Sequence, residues 1–112
     1  MAQHNRQATD KKYSPLTGIL VYCALQCERC LEVAGGDALC FRDCAELCRE
    51  AAAMLLQENY IIPAVLDACA ECCAACGLEC EQQSISEQYM SCTIACMNCS
   101  LACREQALSI LN

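Results

Sequence analysis

At 112 residues the chain fits one domain, long enough to bury a core without covalent staples. A net charge of −7 argues against nucleic acid or an anionic membrane as a partner. No apolar run approaches the roughly 18 residues of a membrane span.

The composition is dominated by 15 cysteines, set against a single histidine, His4. That excess of thiols without imidazole argues against serine–histidine or cysteine–histidine catalysis, and no enzyme activity is expected. A disulfide scaffold does not fit either. The cysteine count is odd, and four glycines and two prolines leave little material for loops. The opening stretch has neither an apolar signal core nor twin arginines, so a cytoplasmic, reducing location is expected.

Residues 1–13 are polar and are expected to form a mobile N-terminal tail. Residues 14–112 are expected to form one metal-binding domain, an all-α, antiparallel up-down-up-down four-helix bundle with a cysteine-lined core. Ser14-Pro15 reads as an N-cap followed by proline at the first helical position. The first helix should then run to about Ala34, where Gly35-Gly36 stops it. Asp37 can cap a second helix that ends near Glu58 and Asn59. Pro63 belongs to the first turn of a third helix ending near Gln82, and Ser84-x-x-Glu87 is a possible capping box for a fourth that ends near Ile110. Gly77 falls inside the third helix and suits a close helix–helix contact, at a cost of about 1 kcal/mol relative to alanine.

The cysteines fall on four helical faces. The first helix carries Cys23, Cys27 and Cys30; the second Cys40, Cys44 and Cys48. The third carries Cys69, Cys72, Cys73, Cys76 and Cys80; the fourth Cys92, Cys96, Cys99 and Cys103. Steps of three and four residues keep side chains within a narrow arc of a helix, with Cys72 at the edge of its arc. The seams begin or end on aliphatic residues. Leu16 and Leu20 lead into Cys23, Ile62 and Leu66 lead into Cys69, and Cys44 and Cys48 continue to Ala51 and Leu55. The thiols therefore take core positions that leucine normally fills.

With antiparallel packing the aliphatic ends meet at one end of the bundle. Leu55, Leu56, Ala107, Leu108 and Ile110 should join a dry plug there, and Met54 should be core. Cys23, Cys48, Cys69 and Cys103 should border the plug. Cys30, Cys40, Cys80 and Cys92 should lie toward the other end, where metal would enter.

Thiolates select soft ions: Cu(I), Zn(II) or iron–sulfur clusters. A thiolate column without histidine suits Cu(I), which accepts low coordination, whereas zinc prefers closed tetrahedral sites often completed by histidine. Cys69-x2-Cys72 and Cys96-x2-Cys99 echo a ferredoxin superficially, but the bacterial ferredoxin run is missing and Glu81 follows Cys80. Zinc–thiolate and iron–sulfur electron-transfer readings stay open as alternatives to Cu(I), as does a purely structural helical protein.

The paired runs Cys69-x3-Cys73-x2-Cys76-x3-Cys80 and Cys92-x3-Cys96-x2-Cys99-x3-Cys103 resemble the bacterial copper storage proteins, and the likeness covers about residues 14–110. The resemblance implies several Cu(I) ions per chain, storage and detoxification of copper, and assembly as a tetramer. The absence of a signal resembles the cytosolic branch of that family. The mouth departs from the family pattern: Glu87-Gln88-Tyr89 has no histidine, and Tyr89 takes the seam position before Cys92. Met90 and Met97 point roughly 130–160° away from the helix-four thiols. They align with Ile94, Leu101 and Leu108 in an outer apolar stripe, which is expected to be the interface of a homo-oligomer.

Overall fold

The computed structural model describes residues 2–33, 39–58, 61, 63–83 and 86–111, with side chains described for these except 2–14, 58 and 111. Four helices form in chain order: α1 (Ala2–Val33), α2 (Leu39–Glu58), α3 (Pro63–Gln82) and α4 (Glu87–Leu111). Each packs against its chain neighbours, and α1 also packs against α4. α1 therefore lies diagonally opposite α3, and α2 opposite α4, in an antiparallel up-down-up-down bundle.

Two boundaries differ from the sequence expectation. α1 starts at Ala2 and holds Pro15 inside it. The proline ring fixes φ at a helical value, so the helix continues past it with one backbone hydrogen bond missing. The N-cap of α4 is Ser86, whose hydroxyl oxygen accepts from the Tyr89 backbone N–H at 3.1 Å. Ser84, together with the expected stops and caps at Ala34, Gly35, Gly36, Asp37 and Asn59, lies outside the described residues.

Both ends of the core are closed, by different chemistry. Leu16, Leu20, Leu55, Ile61, Leu66 and Ala107 form the aliphatic plug. Burying a leucine or isoleucine side chain is worth about 1.5–3 kcal/mol, so this end anchors the fold without any metal. Ile61 is buried there, and the expected Ile62 lies outside the described residues. Leu56 and Leu108, expected in the plug, face outward because each sits beyond the edge of its buried arc. Met54 is half-buried against the plug, as expected.

At the opposite end Phe41 of α2 meets Tyr89 of α4, with ring centroids 6.1 Å apart. These helices are diagonal partners, so the ring pair crosses the bundle axis. Nothing in the helical periodicity had marked Phe41. A single buried aromatic at the start of α2 is visible only once its diagonal partner is known.

Gly77 is buried against α4. A Cβ there would stand 3.0 Å from the Met97 Cε and 3.4 Å from the Cys96 Cβ. The missing side chain lets Met97 fold into the α3–α4 contact. Met97 is consequently half-buried and does not belong to the exposed stripe, which reduces to Met90, Ile94, Leu101 and Leu108.

Candidate metal centre

The helical arcs converge as the spacing requires. Thirteen of the fifteen cysteines are buried, Cys40 and Cys72 are half-buried, and all fifteen are free thiols. Cys23 of α1 lies 4.0 Å from Cys44 of α2, 3.9 Å from Cys73 of α3 and 3.8 Å from Cys96 of α4, sulfur to sulfur. All four helices thus meet at one level of the axis.

The sulfurs form four groups, each with its members within 4.8 Å of one another. From the aromatic end they are Cys30–Cys80–Cys92, then Cys27–Cys76–Cys92–Cys96, then Cys23–Cys27–Cys44–Cys96, then Cys23–Cys48–Cys73–Cys99. Successive groups share members: Cys92 joins the first two, Cys27 and Cys96 the middle two, and Cys23 the last two. Beyond them toward the plug lie Cys69 and Cys103, and the Cys69 thiol donates to the Leu47 backbone carbonyl at 3.6 Å. As expected from the seams, Cys30, Cys80 and Cys92 group at one end and Cys48 belongs to the group at the other; Cys23, expected to border the plug, instead links that group to the one with Cys27, Cys44 and Cys96, and Cys40 lies outside all four groups.

The spacing suits a metal without rearrangement. Neighbouring sulfurs lie between 3.6 Å (Cys44–Cys73, Cys48–Cys73) and 4.0 Å (Cys23–Cys44) apart. An ion with metal–sulfur bonds of about 2.3 Å bridges thiolates at about this separation. The sharing of sulfurs decides between ions. A closed zinc site consumes four ligands of its own, whereas bridged thiolates can each serve two monovalent ions. Charge agrees: a buried row approaching one Cu(I) per thiolate is neutral, whereas isolated four-thiolate zinc sites would each bury two negative charges.

Burial raises several thiols of the column, whereas Cys23, Cys44, Cys92 and Cys103 are lowered by the thiols beside them. Burial pushes Cys30 up to about 12, helped by the Cys92 charge, while the Gln88 amide works in the opposite direction. Burial likewise pushes Cys40 up to about 11, followed by the negative charges of Cys76 and Glu79. At the plug the neighbouring thiols shift one another in opposite directions, Cys69 upward and Cys103 downward. Cys72 is raised first by the neighbouring Cys44 thiol, then by burial, with Asp43 adding to the effect.

Amides occupy the aromatic end. The Gln88 side-chain N–H donates to the Gln26 side-chain oxygen at 3.0 Å and to the Cys30 sulfur at 3.7 Å. The Cys30 thiol in turn donates to the Gln88 carbonyl at 3.7 Å. A cavity of about 280 Å³ opens on the α3–α4 side of this end, lined in part by Tyr89, Met90 and Ile94, with Cys80 at its floor. Cys80 is only 3% exposed, so the end is less open than the sequence suggested.

A family model described as Csp, copper storage protein, matches residues 9–108. Among solved structures, a Cu(I)-bound copper storage protein, BsCsp3, is similar in fold with a TM-score of 0.77. The two are 22% identical, and the match covers 85% of this chain and 97% of that one. No curated protein sequence matches this chain.

Proposed function

The chain belongs to the copper storage protein family, and from that membership we propose that it stores and detoxifies copper by holding many Cu(I) ions along its thiol column. The observation that carries this reading is the sharing of sulfurs between successive groups, which suits a continuous row of monovalent ions. All fifteen cysteines are assigned as ligands. The eleven in the four groups form the row, Cys69 and Cys103 extend it to the plug, and Cys40 and Cys72 flank it. The chain performs no catalytic step in this reading.

The free thiols support a reducing location, and we assign the protein to the cytoplasm. No helix among the described residues is long and apolar enough to cross a membrane. The exposed α4 stripe supports a homo-oligomer, a tetramer by analogy with the family, in which α4 packs against a second copy.

Titrating the fully reduced protein with Cu(I) against a competing chelator tests the storage reading. Uptake should continue well beyond four ions per chain and approach one ion per thiol, with ultraviolet but no visible absorption. Saturation at one or two ions, or visible colour from an iron–sulfur cluster after purification, would defeat it.

A further inference from the structure

Cys40 and Cys72 are the two thiols that stay partly open to solvent, and they share the seam between α2 and α3. Cys40 of α2 stands within electrostatic reach of Cys76 and Glu79 of α3, and Cys72 of α3 within reach of Cys44 and Asp43 of α2. The antiparallel register therefore sets four thiols as a rung, with Cys40 and Cys72 outside and Cys76 and Cys44 inside. Along each helix the outer and inner thiols are four residues apart, so their Cβ atoms are about 5–6 Å apart. The inner pair enters the column at two different groups: Cys76 stands with Cys27, Cys92 and Cys96, and Cys44 with Cys23, Cys27 and Cys96. The ends of the column offer less. Phe41 is 1% exposed and Tyr89 9% exposed where they meet across the axis, Cys30 and Cys92 below them are fully buried, and the far end is aliphatic.

We propose that the α2–α3 seam is a loading port, where Cys40 and Cys72 accept Cu(I) from a soluble thiol complex and pass it inward to Cys76 and Cys44. The proposal rests on the reading of the column as a Cu(I) store. In the first step the Cys40 sulfur forms a bond to copper while one donor thiolate leaves, and the proton lost by Cys40 goes to that leaving thiolate. In the second, Cys76 displaces the remaining donor thiolate in the same way. The Cys40–Cu bond breaks when a second column sulfur, such as that of Cys27 or Cys92, replaces it, and Cys40 takes up the proton that this sulfur loses. Copper stays Cu(I) throughout, so no oxidant or reductant is needed. Cys72 and Cys44 repeat the sequence one turn along. Asp43 and Glu79 place negative charge where the cation arrives.

The test follows Cu(I) uptake from its glutathione complex by stopped-flow ultraviolet absorption, in the reduced wild-type protein and in the double variant Cys40→Ser/Cys72→Ser. The variant should keep most of the final load yet fill at least about ten-fold more slowly, because entry then waits on local opening of the bundle. A wild-type protein that takes up no more than one or two ions defeats the storage reading itself. A wild type that fills normally, alongside a variant that fills at the same rate, overturns the port alone and moves entry to the groove above Cys80. A second measurement needs no variant. Limiting iodoacetamide on the native metal-free protein should label Cys40 and Cys72 first, read by peptide mass spectrometry. Labelling that begins at Cys80, or spreads evenly over the column, overturns the proposal.

Discussion

Met97 folds onto Gly77: a Cβ at position 77 would meet the methionine Cε at 3.0 Å and its sulfur at 3.5 Å. The contact sets how closely α3 approaches α4, and so how closely Cys76 approaches Cys96.

Gly77→Ala should therefore be nearly neutral. Alanine gains about 1 kcal/mol of helix propensity, and the end of the Met97 side chain is flexible enough to move aside. Gly77→Val cannot be absorbed that way and should cost about 1–3 kcal/mol by overpacking. Urea denaturation of the metal-free variants measures both. A valine variant as stable as wild type would show that the α3–α4 spacing has slack.

The metal-free protein should already be folded. Its aliphatic plug is complete without metal, and its thiols near neutral pH behave as small apolar core residues. Far-ultraviolet circular dichroism should show a helical protein before copper is added, and loading should release protons as thiols become thiolates. A random-coil spectrum would place the fold under metal control instead.

Alkaline pH should weaken the metal-free protein selectively. Cys30 is raised from 9.0 to about 12 and Cys40 from 9.0 to about 11, both chiefly by burial. In the unfolded chain these thiols ionise at their ordinary value, so above it the folded state holds more protons than the unfolded one. The contribution is complete below pH 9 and is lost as pH rises toward 11 and 12. The melting temperature of the metal-free form should fall across that window. That of the copper-loaded form, whose thiolates are already made, should change much less.

The outer stripe of α4 should govern assembly and leave the metal alone. Ile94 and Leu101 are each 61% exposed and stand on the face opposite the thiols. Ile94→Glu/Leu101→Glu should reduce the mass seen by light scattering to that of one chain while leaving Cu(I) capacity nearly unchanged. A variant that loses copper but stays assembled would contradict the assignment of these faces.

The thiol seams were legible because helical period alone fixes which residues share a face. Cys23, Cys27 and Cys30, or Cys92, Cys96, Cys99 and Cys103, need no tertiary knowledge to be grouped. Cys72 at the edge of its arc is half-buried for the same reason. What the period could not supply was contact between helices. Met97 has the angular position of an outer residue, and only the absent side chain at Gly77 turns it inward. Phe41 and Tyr89 meet across a diagonal, a relation that depends on the order of helices around the axis. The cap at Ser86 became visible only through backbone geometry, in the bond from the Tyr89 N–H to its hydroxyl.

The aliphatic cluster of Leu16, Leu20, Leu55, Ile61 and Leu66 makes one end of the thiol row blind. Ions beside it, near Cys69, Cys99 and Cys103, could leave only after those between them and the α2–α3 seam had moved. A row of this kind behaves as a last-in, first-out stack. Copper acquired recently would turn over quickly while older copper stayed behind it, so a single chain would keep a fast reserve and a slow one with no second protein to separate them.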